Sequence, residues 1–276
     1  MRAPGTGLLA VGALLGLLWL AAALAAPLLF PGDPGALGPA AARLRPPSPE
    51  HLLGTDLLGR DVMARLVWGS RVSLLVGWLS VAVAVVLGTA LGLAAGLGPR
   101  RLDRALMGVT DLFLAFPRIF LVLLLVSLAA PSLQLVAAVL GLTGWMTVAR
   151  LVRAEALSLR ERDFVAAARG FGLGPVRVAV VHVLPHLLPT VIAAASLRIG
   201  GAILAEAFLS YLGLGVQEPQ VSWGAMIQQG RGVLVEGWWL TAFPGLALTV
   251  TVLGYNLLGD GLRARLAPRQ GGGGRG

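Results

Sequence analysis

Cysteine and lysine are both absent from the 276 residues, and charge of either sign is scarce. Without cysteine there is no disulfide and no thiolate metal site. Without lysine there is no Schiff-base chemistry, and no nucleotide-binding loop of the kind whose lysine reaches the phosphates. All 22 basic residues are therefore arginine. Charged residues make up 13% of the chain, against about 25% in an ordinary soluble domain. No Ser/His/Asp set and no carboxylate pair stands out, so no catalysis is expected of this chain.

What is present is apolar: 57% hydrophobic residues and a mean hydropathy of +0.82. Apolar runs near the ~20 residues that a membrane helix needs predict spans at 8–30, 73–98, 105–130, 133–148, 187–213 and 238–258, with charges only in 105–130 and 187–213. Ala23-Leu24-Ala25 resembles a signal-peptidase site, so removal of the first run is the alternative there. The run 119–149 could be one span through Pro131, or, read with 105–130 and 133–148 as separate spans, part of a hairpin. The hairpin keeps the basic segments 100–104 and 150–177 on one side, as the positive-inside rule requires. With the amino terminus inside, fourteen arginines lie inside and six outside. This accounts for the net charge of +9 without nucleic acid. Small residues Gly88, Ala90, Gly92 and Ala95 would let the second span pack closely. Trp238 and Trp239 read as an interfacial aromatic pair. The proline-rich stretch 31–49 reads as extended loop, with a turn at Gly54-Thr55-Asp56. Asp61 to Leu66 would open a short amphipathic surface helix. This region reads as a cap packed on the helices, with a substrate-side docking loop as the alternative. The Gly-rich end is expected to be disordered.

Four charges fall inside the predicted spans: Asp111, Arg118, Arg198 and Glu206. Intramembrane charge is costly and points to function. These four are expected at the substrate pathway or at an interface with another membrane chain. Asp111 and Arg118 would share one helical stripe, as would Arg198 and Glu206. His182 and His186 have helical i, i+4 spacing, but Pro185 intervenes and no third ligand is near, so no metal site is expected.

The segment from Arg150 to Pro185 interrupts the oily pattern. Its first part alternates in charge like a solvated helix face. Gly170, Gly172 and Gly174 break the helix, Pro175 can open the next one, and Pro185 would stop it near Val183. Ala166-Ala167-Ala168, Gly172, Leu184 and Pro185 match the spacing of the EAA motif, and the segment resembles that motif of ABC importer permeases. Ala166 stands where that family has Glu, and His182 where it often has Ile. His51-Leu-Leu-Gly-Thr-Asp-Leu-Leu-Gly-Arg-Asp61, Leu209 to Gln217, Ser222-Trp-Gly224, Phe243-Pro-Gly245 and Asn256 to Gly261 are similar to the C-type permease of dipeptide, oligopeptide and nickel importers.

The resemblance implies an all-α polytopic membrane protein with six transmembrane helices and a cytoplasmic coupling helix between spans four and five. Its parts would be a first helix and outer loop (1–71), a permease core (72–262) and a cytoplasmic tail (263–276). The implied partners are a second permease, two ATPase subunits that hydrolyse the ATP, and an extracytoplasmic binding protein, in a bacterial or archaeal cytoplasmic membrane with both termini inside. The implied coupling residues are Ala166, Ala167, Ala168, Gly172, Leu173, Gly174, Pro175, Arg177, Leu184 and Pro185, with no cofactor. The implied cargo is a peptide, or nickel. A secondary transporter driven by an ion gradient is the reading from another class.

Overall fold

The computed structural model describes residues 6–266. Among them there is no β-strand, only an isolated bridge between Thr55 and Asp61. In chain order the helices are α1 (Thr6–Leu29), α2 (Val62–Leu97), α3 (Arg100–Ala115), α4 (Arg118–Ser127), α5 (Leu133–Leu142), α6 (Trp145–Arg160), α7 (Asp163–Gly170), α8 (Pro175–Arg177), α9 (Leu184–Tyr211), α10 (Trp223–Gly230) and α11 (Trp239–Leu266). A π-helical stretch, Val178–Val183, joins α8 to α9. Five rods are long and apolar enough to span a bilayer, with α5–α6 and α8–α9 each counted as one. The pair α3 and α4 makes a sixth, bent by 85°.

Four boundaries differ from the sequence reading. The short surface helix expected at Asp61 is the beginning of α2 itself. The Asp61 side chain accepts the Ala64 backbone N–H at 2.9 Å and caps a helix that runs 36 residues without a break. At 1.5 Å per residue that is ~54 Å, well beyond a ~30 Å hydrocarbon layer, so one end projects from it. The third span is broken at Pro117: the residue before a proline is pushed out of the helical region, and Phe116 is extended at φ −89°, ψ 137°. The helix expected to stop at Pro185 does not stop. In the π-helical stretch the Leu184 N–H donates to Ala179 O, five residues back. That wider turn accommodates a ring that would otherwise clash one turn earlier. At the carboxyl end, α11 takes in Arg263 and Arg265 of the expected tail, and residues 267–276 lie outside the described ones.

Close helix contact replaces the hydrophobic drive that is missing between helices in lipid. Gly88, Gly92 and Gly96 of α2 form one stripe against α6. A Cβ on Gly92 would lie 2.6 Å from Ala149 O and 2.7 Å from Val152 Cβ, and one on Gly96 would lie 2.8 Å from the Ala156 methyl. Ala90, expected in this seam, is exposed instead, whereas Ala95 is buried. On the other flank α1 packs along α11, where Gly12 leaves no room for a side chain against Leu257 and Leu258.

Polar groups fasten the far end. Asp56 Oδ2 accepts Arg60 Nε at 2.6 Å and Arg65 Nη1 at 2.7 Å, while its Oδ1 accepts the backbone N–H of Leu58 and Arg60. Arg60 Nη1 also reaches Glu218 Oε1 at 2.8 Å, and Arg65 Nη2 reaches Gln229 Oε1 at 3.0 Å. Asp56, Arg60 and Arg65 are 5%, 5% and 2% exposed. The loop therefore packs as a cap, as the sequence suggested. Trp239 belongs to this lock: its Nε1 donates to Thr55 O at 3.0 Å and its ring is buried, so only Trp238 of the tryptophan pair is exposed.

Gly92→Leu should cost at least ~1–3 kcal/mol by overpacking the α2–α6 seam, while Ala90→Leu should be near neutral. Thermal unfolding in detergent separates the two. Asp56→Asn strips the anion from two buried guanidiniums and should cost about 3–5 kcal/mol. Glu218→Gln should cost under about 1 kcal/mol, since that carboxylate is half-exposed. Burial pushes the Glu218 carboxyl up, but the hydrogen bond and charge of Arg60, with Arg65 and Gln229, pull it further down, below its ordinary 4.5. Its contribution is thus complete at neutral pH and is lost as pH falls below 4.5 through the lowered value. An unfolding series at decreasing pH checks this, and Glu218→Gln should flatten it.

Candidate functional site

One end of the bundle carries a projecting tip made by α7, the turn after it and α8. Val165 and Ala168 face inward onto Val178, Val183 and Leu187, which anchors the tip to α6 and α9. Gly172 ends α7. Its φ is +75°, its N–H donates to Arg169 O at 2.9 Å, and the Leu173 N–H donates to Ala168 O at 3.3 Å. This pair of bonds is a Schellman cap, which needs a left-handed residue at that position, and glycine takes that conformation without penalty. Gly174 then leads into Pro175, whose fixed φ suits a first helical position.

The outward face of the tip is apolar at its apex. Phe171 is 86% exposed and Val176 is 75% exposed. Ala166, Ala167, Arg169 and Arg177 are exposed around them. A Cβ at Gly170, Gly172 or Gly174 would meet no atom within 4 Å. The space around all three glycines is open, and only Gly172 is required by its φ. Of the other expected coupling residues, Ala168 is buried, while Leu173 and Leu184 pack against the α6–α9 core. Pro185 lies inside the continuing helix. His186 lies against the Phe164 ring at 4.8 Å between centroids.

The four intramembrane charges do not form one site. Asp111 pairs with Arg150 at 2.5 Å on an exposed surface. Because of the bend at Pro117, it shares no helical stripe with Arg118. Glu206 is fully buried within this chain. Its Oε1 accepts the Ser210 hydroxyl at 2.7 Å and its Oε2 the Ser73 hydroxyl at 3.2 Å, so it ties α9 to α2 and faces no neighbouring chain.

Arg118 and Arg198 do come together. Arg118 Nη2 donates to Leu140 O at 3.0 Å and its Nε to Thr143 Oγ1 at 3.5 Å. Arg198 Nη2 donates to Gly144 O at 2.5 Å and Nη1 to the Thr147 hydroxyl. Both arginines line two neighbouring cavities, of about 190 and 100 Å³.

The buried lock around Asp56 was not foreseen from sequence. Its pairs Arg60–Glu218 and Arg65–Gln229 lie 158 and 164 positions apart. The one local signal was Asp56 four residues before Arg60.

Residues 88–272 match the family described as the binding-protein-dependent transport system inner membrane component. The chain is 41% identical over 227 residues to the dipeptide transport system permease protein of Alkalihalophilus pseudofirmus, covering 82% of this chain and 75% of that protein. It is 39% identical over 219 residues to the oligopeptide transport system permease protein of Haemophilus influenzae, covering 79% and 70%. Among solved structures, an inward-facing form of the MetNI methionine ABC transporter contains a chain that aligns at a TM-score of 0.59 and 20% identity, covering 72% of this chain and 94% of that one. The fold is thus shared with a chain of that transporter, and this chain belongs to the family of inner-membrane components of binding-protein-dependent transport systems.

Proposed function

We propose that this chain is one of two permease subunits of an ABC importer for peptides, and that the tip from Ala166 to Arg177 is its contact with the ATPases. One observation carries the reading: an exposed apolar apex, Phe171 and Val176, is held by a glycine-capped turn at the foot of a helix running to Tyr211. ATP hydrolysis belongs to the partner subunits, since a chain without lysine offers no phosphate-binding loop of the usual kind. Family membership argues against an ion-gradient-driven transporter. The peptide names of the relatives favour peptide over nickel. A second permease completes the pathway, and the binding protein delivers cargo to the Asp56 side. The tip, the 98–104 turn and both termini face the cytoplasm, because the arginine excess lies there. The core of this assignment is residues 72–262, although the boundary at 71/72 falls inside α2; α1 and the loop before α2 pack onto that core.

The cysteine-free chain makes orientation easy to read. In right-side-out membranes an impermeant maleimide should label Leu37→Cys and spare Val176→Cys until the membrane is opened; the opposite pattern sinks this reading. Coupling is tested at Gly172. Gly172→Asn tolerates the left-handed turn and should keep ATPase stimulation, whereas Gly172→Val should cost ~1–2 kcal/mol of turn stability and uncouple hydrolysis from uptake. Equal, full coupling in both variants counts against the tip.

A further inference from the structure

We propose that Arg118 and Arg198 form a carboxylate site on the transport path, which takes the C-terminal carboxylate of a peptide in transit. This rests on the peptide-importer reading above and adds which end of the cargo is held, and by what.

The two guanidiniums come from separate pieces of the fold. Arg118 begins α4 just after the bend, and Arg198 stands at the middle of the 28-residue α9. Among the described residues neither makes an ion pair. Every partner found for them is a neutral carbonyl or hydroxyl, from Leu140, Thr143, Gly144 and Thr147. The carboxylates that could have answered them are committed elsewhere: Asp111 to Arg150, and Glu206 to Ser73 and Ser210. Each arginine has five N–H donors and uses two here.

Arg118 is exposed and Arg198 half-buried, and two cations in apolar, span-length helices with no anion beside them are costly. The same chain buries Arg60 and Arg65 only with Asp56 between them. The difference points to an anion that arrives from outside the chain. The space for it exists. The larger cavity is lined by Ser80, Ala84 and Gly201 beside the two arginines. A Cβ on Gly201 would meet nothing within 4 Å. At about 190 Å³ the cavity is below the ~300–1,000 Å³ of a site that swallows a whole small ligand. It fits one end of a cargo.

Guanidinium forks match a carboxylate geometrically. Every unmodified peptide ends in one whatever its side chains, so a site keyed to it serves many sequences equally. The competing source of the same chemistry is an acidic side chain of the second permease.

The experiment uses the detergent-purified complex of both permeases and the ATPases, without binding protein. Alanyl-alanine, leucyl-leucine and glycyl-phenylalanine are compared with their C-terminal amides by saturation-transfer NMR. The wild-type complex should prefer each free acid by about tenfold or more, the scale of a lost charged hydrogen bond. Arg118→Gln and Arg198→Gln should each reduce that preference, and the double variant should abolish it while amide binding stays constant. Arg198→Lys should retain part of it. Equal binding of acid and amide to the wild type overturns the proposal, and this comparison stands even where a variant does not assemble. A preference that survives the double variant also overturns it. So does a double variant whose main defect is loss of the second permease on gel filtration, which assigns the arginines to a partner side chain. The peptide reading fails separately, when wild-type complex with its binding protein takes up no dipeptide into proteoliposomes.

Discussion

The close approach of α2 and α6 is the contact on which the rest of the molecule is hung. In a bilayer, two helices gain nothing from excluding water, so they hold together only where their backbones come near enough to interlock. Gly88, Gly92 and Gly96 provide that over more than two turns, with Val148, Val152 and Ala156 seated in the groove they leave. What α6 carries makes the seam consequential. Its beginning supplies Gly144 and Thr147, which hold Arg198, and its far end feeds α7 and the tip. A helix fixed in place by its neighbour thus sets both the intramembrane arginine and the projecting turn.

The protein treats its charged clusters in three ways, and the contrast is informative. At the capped end, Asp56 sits between Arg60 and Arg65, whose further donors reach Glu218 and Gln229. In the helix core, Glu206 is surrounded by serine hydroxyls that bind α2 to α9 and reach the start of α10 through Ser222. Both arrangements are closed: every strong group is answered within the chain, as low dielectric surroundings demand. Arg118 and Arg198 are open. They have dipoles for company and no counter-charge, beside unfilled space. A closed network serves rigidity, whereas an open one is suited to something that comes and goes.

The sequence was most informative where a single residue type decides the local answer. Apolar runs located the spans, and Gly172 marked the left-handed cap because few other residues tolerate φ +75°. It was less informative where proline had two meanings. Pro117 reads as tolerable within an apolar run, yet it turns the chain by 85°, and Pro185 reads as a stop yet lies inside a continuous helix. The difference lies in the preceding backbone: extended at Phe116, π-helical before Leu184. No period or composition reports that choice. Long-range charge pairing was equally hidden. Arg60 and Arg65 look like ordinary loop and helix arginines until a carboxylate 158 positions away is brought beside Arg60.

Continuity through Pro185 changes how force would travel if the tip meets an ATPase. A detached short helix would act as a lever with its own pivot. Here the tip is the foot of a rod of 37 residues from Pro175 to Tyr211. Arg198 lies twenty-three residues up it, about 35 Å at helical rise. The π-helical stretch, Pro185 and Pro189 all lie between the two, and such features are where helices bend. A push at Phe171 would therefore reach Arg198 mainly as a change in helix angle. Arg118 is on the far side of the Pro117 bend, in a helix that does not share that rod. The two guanidiniums would then move relative to one another whenever the tip moved. A carboxylate bridged between them would be gripped in one state and released in the other, which ties the energy source to the cargo through two side chains.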